Sequence, residues 1–302
     1  MKIVNIIGGL GNQMFQYAFA LYLKHQYPNE DVYYDASHFR HIFIKKWGVS
    51  NLHNGFELTK LFSNLTIKQA SCSKILSVSY YIPNYFLSRV ARRLLPKRKS
   101  EYIPSLATTY QYDPMVKEIS GDCYFEGYWQ SITYYLPIQQ KIAEEFNPGE
   151  PSPQNQRCIE EMEKSQSVGI HVRRGDYLKS PSFGGVCELD YYKRSLDYLL
   201  EDGVKRTFFI FTNDEDWCAQ NIYPLLEGHK IVFVRHNKGQ QSYWDMFLMS
   251  KCKQLIIANS SFSWWGAFLN TKAQKILAPY PWTRHSSKYD IYAPGWIKIT
   301  SC

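Results

Sequence analysis

From residue 168 onward, short apolar runs alternate with helix-length segments so regularly that few folds accommodate the pattern. The runs are 168–172, Thr207-Phe208-Phe209-Ile210-Phe211, Ile231-Val232-Phe233-Val234, Leu255-Ile256-Ile257-Ala258 and Ile276-Leu277-Ala278, and segments of helix length, including 190–202, 214–226, 242–252 and 262–271, separate them. A continuously apolar run suits a strand buried on both faces, and its alternation with helices predicts a parallel, doubly wound sheet. Ligands of such sheets bind beyond the carboxyl ends of the strands. The first run is followed by Arg173-Arg174-Gly175-Asp176, the second by Thr212-Asn213-Asp214-Glu215-Asp216, and the fourth by Asn259-Ser260-Ser261-Phe262-Ser263-Trp264-Trp265-Gly266. Three polar clusters are therefore expected on one edge.

Each cluster has a chemistry and a plainer alternative. Side chains alternate along a strand, so His171 and Arg173 share one face and Val172 and Arg174 the other. Two guanidinium forks at a strand end suit the oxygens of a diphosphate; the alternative is a surface turn closed by an Arg174–Asp176 ion pair. Ser260, Ser261 and Ser263 either cap a helix or, with its first N–H groups, seat a phosphate. Asp214 and Asp216 match a metal-binding Asp-x-Asp, yet they equally suit the first turn of a helix or a carboxylate accepting from a base or ribose. Trp264 and Trp265 either stack on a sugar or base or fill the core.

The N-terminal region begins as strand, glycine turn and helix: 2–7, Gly8-Gly9-Leu10-Gly11-Asn12-Gln13, then 14–23. Met14 stands where a dinucleotide fingerprint requires its third glycine, which weakens a dehydrogenase reading. Gly9, Gly11 and the Asn12 and Gln13 amides either face a polar ligand or merely hold the turn. A strand is expected at 31–35, another at 122–129 and a helix near 131–146, whereas 36–120 carries only short periodic pieces. One of these, 84–99, has Phe86, Leu87, Val90, Leu94 and Leu95 at helical spacing among Arg89, Arg92, Arg93, Lys97, Arg98 and Lys99. Such a helix either lies on an anionic membrane or packs its apolar side on its own domain. Three prolines and a glycine within 147–153 mark the boundary between domains at 1–150 and 151–302.

At 302 residues, 45% hydrophobic and 21% charged, the chain has ample core for two domains. A net charge of +8 favours an anionic ligand or surface. The basic residues cluster without a reading motif, so no nucleic-acid role is expected. Seven scattered cysteines with no C-x-x-C pair argue against a disulfide framework and a zinc site. The chain has neither an 18-residue apolar run nor an apolar leader, so the expected location is cytoplasmic, with peripheral contact at the inner face of a membrane as the further expectation.

Taken together and in this order, Gly9-Leu10-Gly11-Asn12-Gln13-Met14, His171-Val172-Arg173-Arg174-Gly175-Asp176-Tyr177, Phe211-Thr212-Asn213-Asp214-Glu215 and 259–267 resemble the motifs of the alpha-1,2-fucosyltransferases, glycosyltransferase family 11. Residues 245–252 are similar to a further segment of that family. The resemblance implies a GT-B-like fold, two Rossmann-like domains with a cleft between them, the first on the acceptor side and the second binding the donor. It implies GDP-fucose as donor and transfer with inversion to the 2-hydroxyl of a beta-galactoside acceptor, free or lipid-linked, with no cofactor and no metal. It places Arg174 on the donor diphosphate, and the expected donor-binding set is His171, Arg173, Arg174, Asn213, Asp214, Asn259, Ser260, Ser261, Phe262 and Ser263. Asp176, by position, is the candidate general base, and Gly9, Gly11, Asn12 and Gln13 form the expected cleft loop. A metal-dependent transferase of another nucleotide sugar, built on Asp214 and Asp216, and a non-catalytic sugar- or nucleotide-binding module remain open.

Overall fold

The computed structural model describes residues 1–40, 54–82, 85–96, 98, 100–104, 110–284 and 288–301; the side chains at 40, 85, 86, 176 and 179 lie outside that description. The chain divides into two compact units, Met1–Gly149 and Glu150–Cys302.

The first unit runs β1 (Lys2–Asn5), α1 (Leu10–Gln26), β2 (Val32–Asp35), α2 (Leu58–Leu61), β3 (Lys68–Gln69), α3 (Cys72–Val78), α4 (Tyr85–Leu94), β4 (Glu101–Tyr102), β5 (Cys123–Phe125) and α5 (Gln139–Glu145). Its strands form one parallel sheet in the order β3-β2-β1-β5-β4. Thirteen residues of α1 between Leu10 and Leu23 are buried, as expected of a helix that is apolar on every side. Ile3 and Tyr124 from the central strands close a core with Ala70, Ile75 and Val78. The helix expected near 131–146 is broken into short 3-10 turns at Ile132–Tyr134 and Leu136–Ile138 before α5 begins. Pro137 has no N–H to continue a helix, so the chain restarts there.

Helix α4 reverses the packing that its sequence suggests. Ser88 and Arg92, one turn apart, face inward at 1% and 5% exposure, whereas Leu94 is 78% exposed. The Ser88 hydroxyl donates to the Ile82 carbonyl at 2.9 Å and accepts from its N–H at 2.8 Å. Arg92 Nε stands 3.2 Å from Glu126 Oε2, with the guanidinium over the Tyr124 ring. The expectation that the apolar side packs on its own domain is corrected for Leu87, Leu94 and Leu95, which are exposed, while a buried ion pair and a cation–π contact form the inward face.

The second unit runs α6 (Pro153–Lys164), β6 (Ser167–Val172), α7 (Leu189–Leu200), β7 (Thr207–Thr212), α8 (Glu215–Asn221), β8 (Lys230–Phe233), α9 (Trp244–Met249), β9 (Gln254–Ile256), α10 (Ser261–Phe268), β10 (Lys275–Tyr280) and β11 (Ile297–Thr300). All strands pair in parallel in the order β11-β10-β9-β6-β7-β8. Every residue of β6 is buried, and Val168, Ile170 and Val172 pack with Phe208, Ile210, Tyr191 and Tyr192 in a single core. This is the parallel, doubly wound arrangement that the apolar runs predict. Two elements lay outside that reading. Ser152 caps α6 by accepting from the Asn155 N–H at 3.2 Å, with Pro153 at the first helical position. β11 adds a half-exposed edge strand to β10.

Candidate active site

The positions of the candidate residues follow from strand order. β6 lies between β9 and β7, with His171 opposite Phe211, Val172 opposite Thr212, and Ile170 opposite Ile256. The segments leaving these three strands, at 173–176, 213–214 and 257–261, therefore emerge side by side at one edge.

Arg174 is held from several sides. Its backbone N–H donates to Asn213 Oδ1 at 2.9 Å. The guanidinium lies over the Trp217 ring, 4.2 Å from its centroid, while Nη1 donates to Glu188 Oε2 at 3.3 Å. Nε stands 3.4 Å from Asp214 Oδ2 but is not aligned to hydrogen-bond, and it has no hydrogen-bond partner among the described residues. Asp214 thus has two roles, because its other oxygen accepts from the Trp217 N–H at 3.2 Å and caps α8. Both oxygens of the carboxylate that heads the Asp-x-Asp are engaged by the protein. Neither Trp217 nor Glu188 was in the expected set. Trp217 follows Asp214 by three residues in a first helical turn, a signal that the sequence offered, whereas Glu188 is joined to Arg174 only by tertiary structure.

The turn after Arg174 is equally constrained. Gly175 has φ +24°, and a Cβ there would lie 2.6 Å from Asn213 Nδ2, so this position requires glycine. The chain then makes a short 3-10 helix over Gly175–Lys179. The Asp176 side chain lies outside the described ones. Arg173 is half-buried, its guanidinium 5.6 Å from the Tyr177 ring centroid.

His171 is buried at the end of β6, its ring 5.9 Å from that of Phe262 at the start of α10. Burial, with the nearby Arg173 charge second, lowers its pKa to about 3, so the imidazole is neutral at ordinary pH. Its Nδ1 has no hydrogen-bond partner among the described residues. Buried side-chain nitrogens are seldom left in that state.

The serine cluster divides by role. Ser260 caps α10, accepting from the Phe262 N–H at 3.3 Å. Ser263 is buried and donates to the Ala258 carbonyl at 3.1 Å, so its hydroxyl is committed inside the turn, contrary to its expected place on a donor. Asn259 corrects in the same way. Its amide donates to the Phe183 and Trp282 carbonyls at 3.1 and 3.2 Å, and its Oδ1 accepts from the Cys187 thiol, which burial pushes up to about 12 and so keeps protonated. It ties together three loops. Ser261 and Phe262, both half-exposed at the start of α10, remain on the edge. Trp264 and Trp265 are fully buried, with the Trp264 indole donating to the Ile291 carbonyl at 2.6 Å, which decides for core packing. Arg173, Arg174, Phe183, Glu188 and Asn259 line one small recess.

In the first unit the glycine turn is internally braced. Gly8 has φ +82°, and the Gly9 carbonyl accepts from the Asn12 and Gln13 N–H groups. Gly11 is buried within α1. The Gln13 side chain, fully buried, donates to the Gly8 and Gly55 carbonyls at 2.9 and 2.8 Å and accepts from the Glu57 N–H at 2.9 Å. It staples the turn to residues 55–57, so its amide is engaged by backbone. Asn12 accepts from Gln130 Nε2 at 2.9 Å.

The sequence model of glycosyl transferase family 11 matches residues 1–300. An alpha-1,2-colitosyltransferase of Escherichia coli is 30% identical, the alignment covering 98% of each chain. Galactoside alpha-(1,2)-fucosyltransferase 2 of Oryctolagus cuniculus is 23% identical over the whole of this chain and 77% of its own. Among solved structures, that of NodZ alpha-1,6-fucosyltransferase soaked with GDP-fucose shares the fold, with a TM-score of 0.51 at 13% identity over 91% of this chain and 93% of that one. Two parallel sheets flanked by helices, an arginine-bearing strand end and a family match across nearly every residue agree, and the chain belongs to glycosyltransferase family 11, the alpha-1,2-fucosyltransferase family.

Proposed function

We propose that this protein transfers L-fucose from GDP-fucose to the 2-hydroxyl of a terminal galactose-type acceptor, with inversion and without a metal ion. The observation that carries the reading is the strand end itself, where Arg173 and Arg174 follow buried His171, whose Nδ1 has no hydrogen-bond partner among the described residues. An anionic leaving group answers such an arrangement. As the bond from fucose C1 to GDP breaks, negative charge grows on the diphosphate, and donors already oriented stabilise it most. Arg174 supplies the fixed charge, Arg173 a second guanidinium, and the first N–H groups of α10 with the Ser261 hydroxyl a further seat. Neutral His171 offers a hydrogen bond without changing its charge. Asp176 takes the proton of the attacking hydroxyl.

The engagement of both Asp214 oxygens by Arg174 and the α8 N-terminus argues against a metal held by Asp214 and Asp216. Activity that persists in EDTA is the expected outcome; loss in chelator with recovery in Mn²⁺ or Mg²⁺ favours the metal-dependent reading. The defining experiment offers GDP-fucose, its 3-deoxy counterpart GDP-colitose and other nucleotide sugars against lactose, with linkage analysis of the product. An alpha-1,2-fucosylated product, with GDP released only when acceptor is present, is expected. Transfer from a different nucleotide sugar alone, or no transfer, overturns the assignment. Arg174→Ala is expected to lower kcat by roughly 10²–10³. Asp176→Asn with kcat near that of the parent removes Asp176 as the base.

A further inference from the structure

Helix α4 buries an arginine and turns its leucines to solvent. Ser88 and Arg92 form its inward face, while Leu87 and Leu94, seven residues apart on one side, are 47% and 78% exposed and Leu95 is 47% exposed. Arg93 is exposed beside them, and Arg89 is nearly half-exposed although it lies 4.0 Å from Glu126. Further exposed apolar residues and an arginine lie in the segments before and after the helix. Arg98 Nη1 donates to the carbonyl of Leu76, itself 51% exposed, and Ile82, bonded to Ser88, is 39% exposed. Helix α4 contains no acidic residue.

We propose that this face of the first unit is the docking surface for an anionic lipid bilayer. A helix with leucines on its outer face and arginines flanking them is suited to lie in the interfacial plane, apolar side chains among the acyl chains and guanidiniums at the phosphates. Charge complementarity favours that occupant over an apolar protein groove, because exposed Arg89 and Arg93 lie on the same helix as the leucines and the chain as a whole carries +8. The contact is peripheral in kind, since no described helix is long and apolar enough to cross a membrane. Arg92 takes no part in it, being engaged with Glu126 and Tyr124.

The test uses the full chain and sedimentation with vesicles of phosphatidylcholine alone or mixed with phosphatidylglycerol. Retention is expected on the mixed vesicles only and falls as salt rises. Arg93→Glu is expected to weaken partitioning about fivefold for each unit of positive charge removed, roughly 1 kcal/mol. Leu94→Ser weakens it as well, and both variants keep the parental melting temperature and transfer to a soluble acceptor. No retention of the parent, or variants retained as well as the parent, overturns the proposal. So does light scattering that shows a dimer abolished by Leu94→Ser, which assigns the face to a second copy of the chain.

Discussion

Arg174 is positioned by chemistry that differs from the chemistry it is proposed to perform. Trp217 fixes the plane of the guanidinium, Asp214 and Glu188 balance its charge, and Asn213 holds its backbone, so the diphosphate proposed to bind here would meet an oriented fork in competition with two carboxylates. Trp217→Leu removes the aromatic platform. A cation–π contact contributes about 0.5–2 kcal/mol depending on solvation, so kcat is expected to fall by up to roughly thirtyfold, less than for Arg174→Ala, with folding intact by circular dichroism. Glu188→Gln acts in the opposite direction. Glu188 is about half exposed, and such a pair contributes about 0–1 kcal/mol, so the donor KM is expected to fall by no more than about fivefold. Steady-state kinetics that show KM rising instead would make Glu188 a donor contact and not a competitor.

At the scale of elements, two turns carry the candidate residues, and each is braced by an amide whose role the sequence leaves ambiguous. Gln13 and Asn259 occur inside motif stretches, which made both plausible ligand-facing groups. The structure shows that each satisfies the backbone of distant loops. Gln13→Ala leaves the Gly8 and Gly55 carbonyls and the Glu57 N–H without their partner, and a buried orphan of this kind costs about 1–3 kcal/mol, so thermal unfolding should shift down before donor affinity changes. The same scale shows where sequence reading was effective. The long strands β6 and β7 are continuous apolar runs and were legible, as was α1. β3 and β4, two residues each, are too short to show any period, and they fall within 36–120, where only the helix at 84–99 was assigned. α4 was found, but which of its faces lies inward was not, because Glu126 and Tyr124, the partners of Arg92, are more than thirty residues away.

Across the whole molecule, two titratable groups, one buried and one half-buried, oppose one another. His171, with its pKa lowered by burial and then by Arg173, binds fewer protons folded than unfolded below about pH 6.5, so acidification towards its folded pKa of about 3 lowers stability. Asp245, in the first turn of α9, is raised to about 7 by burial, against an acceptor bond from Asn237 that partly offsets it. It binds more protons folded than unfolded above about pH 4, so stability is lost as pH rises towards 7. Between roughly pH 4 and 6.5 the two slopes cancel. Asp245→Asn removes one side of that balance, and chemical denaturation should show greater stability at pH 7 with a decline of up to about 1.4 kcal/mol per pH unit on acidification. A parallel, merely offset pH profile would show that Asp245 does not titrate in this way.

The sequence alone determined the parallel, doubly wound sheet of the second unit and the edge of it at which the polar clusters lie, whereas the sheet of the first unit was expected only from the family resemblance. Both depend on local periodicity and on which residues end a strand, and these survive without any knowledge of packing. Tertiary structure alone decided the partners: that Arg174 lies on Trp217 between Asp214 and Glu188, that Gln13, Asn259 and Ser263 serve the backbone, and that α4 turns Arg92 inward and Leu94 out. A polar side chain becomes a ligand group or a brace according to which unsatisfied group lies within hydrogen-bond distance of it, and that distance exists only once segments remote in sequence have been packed together.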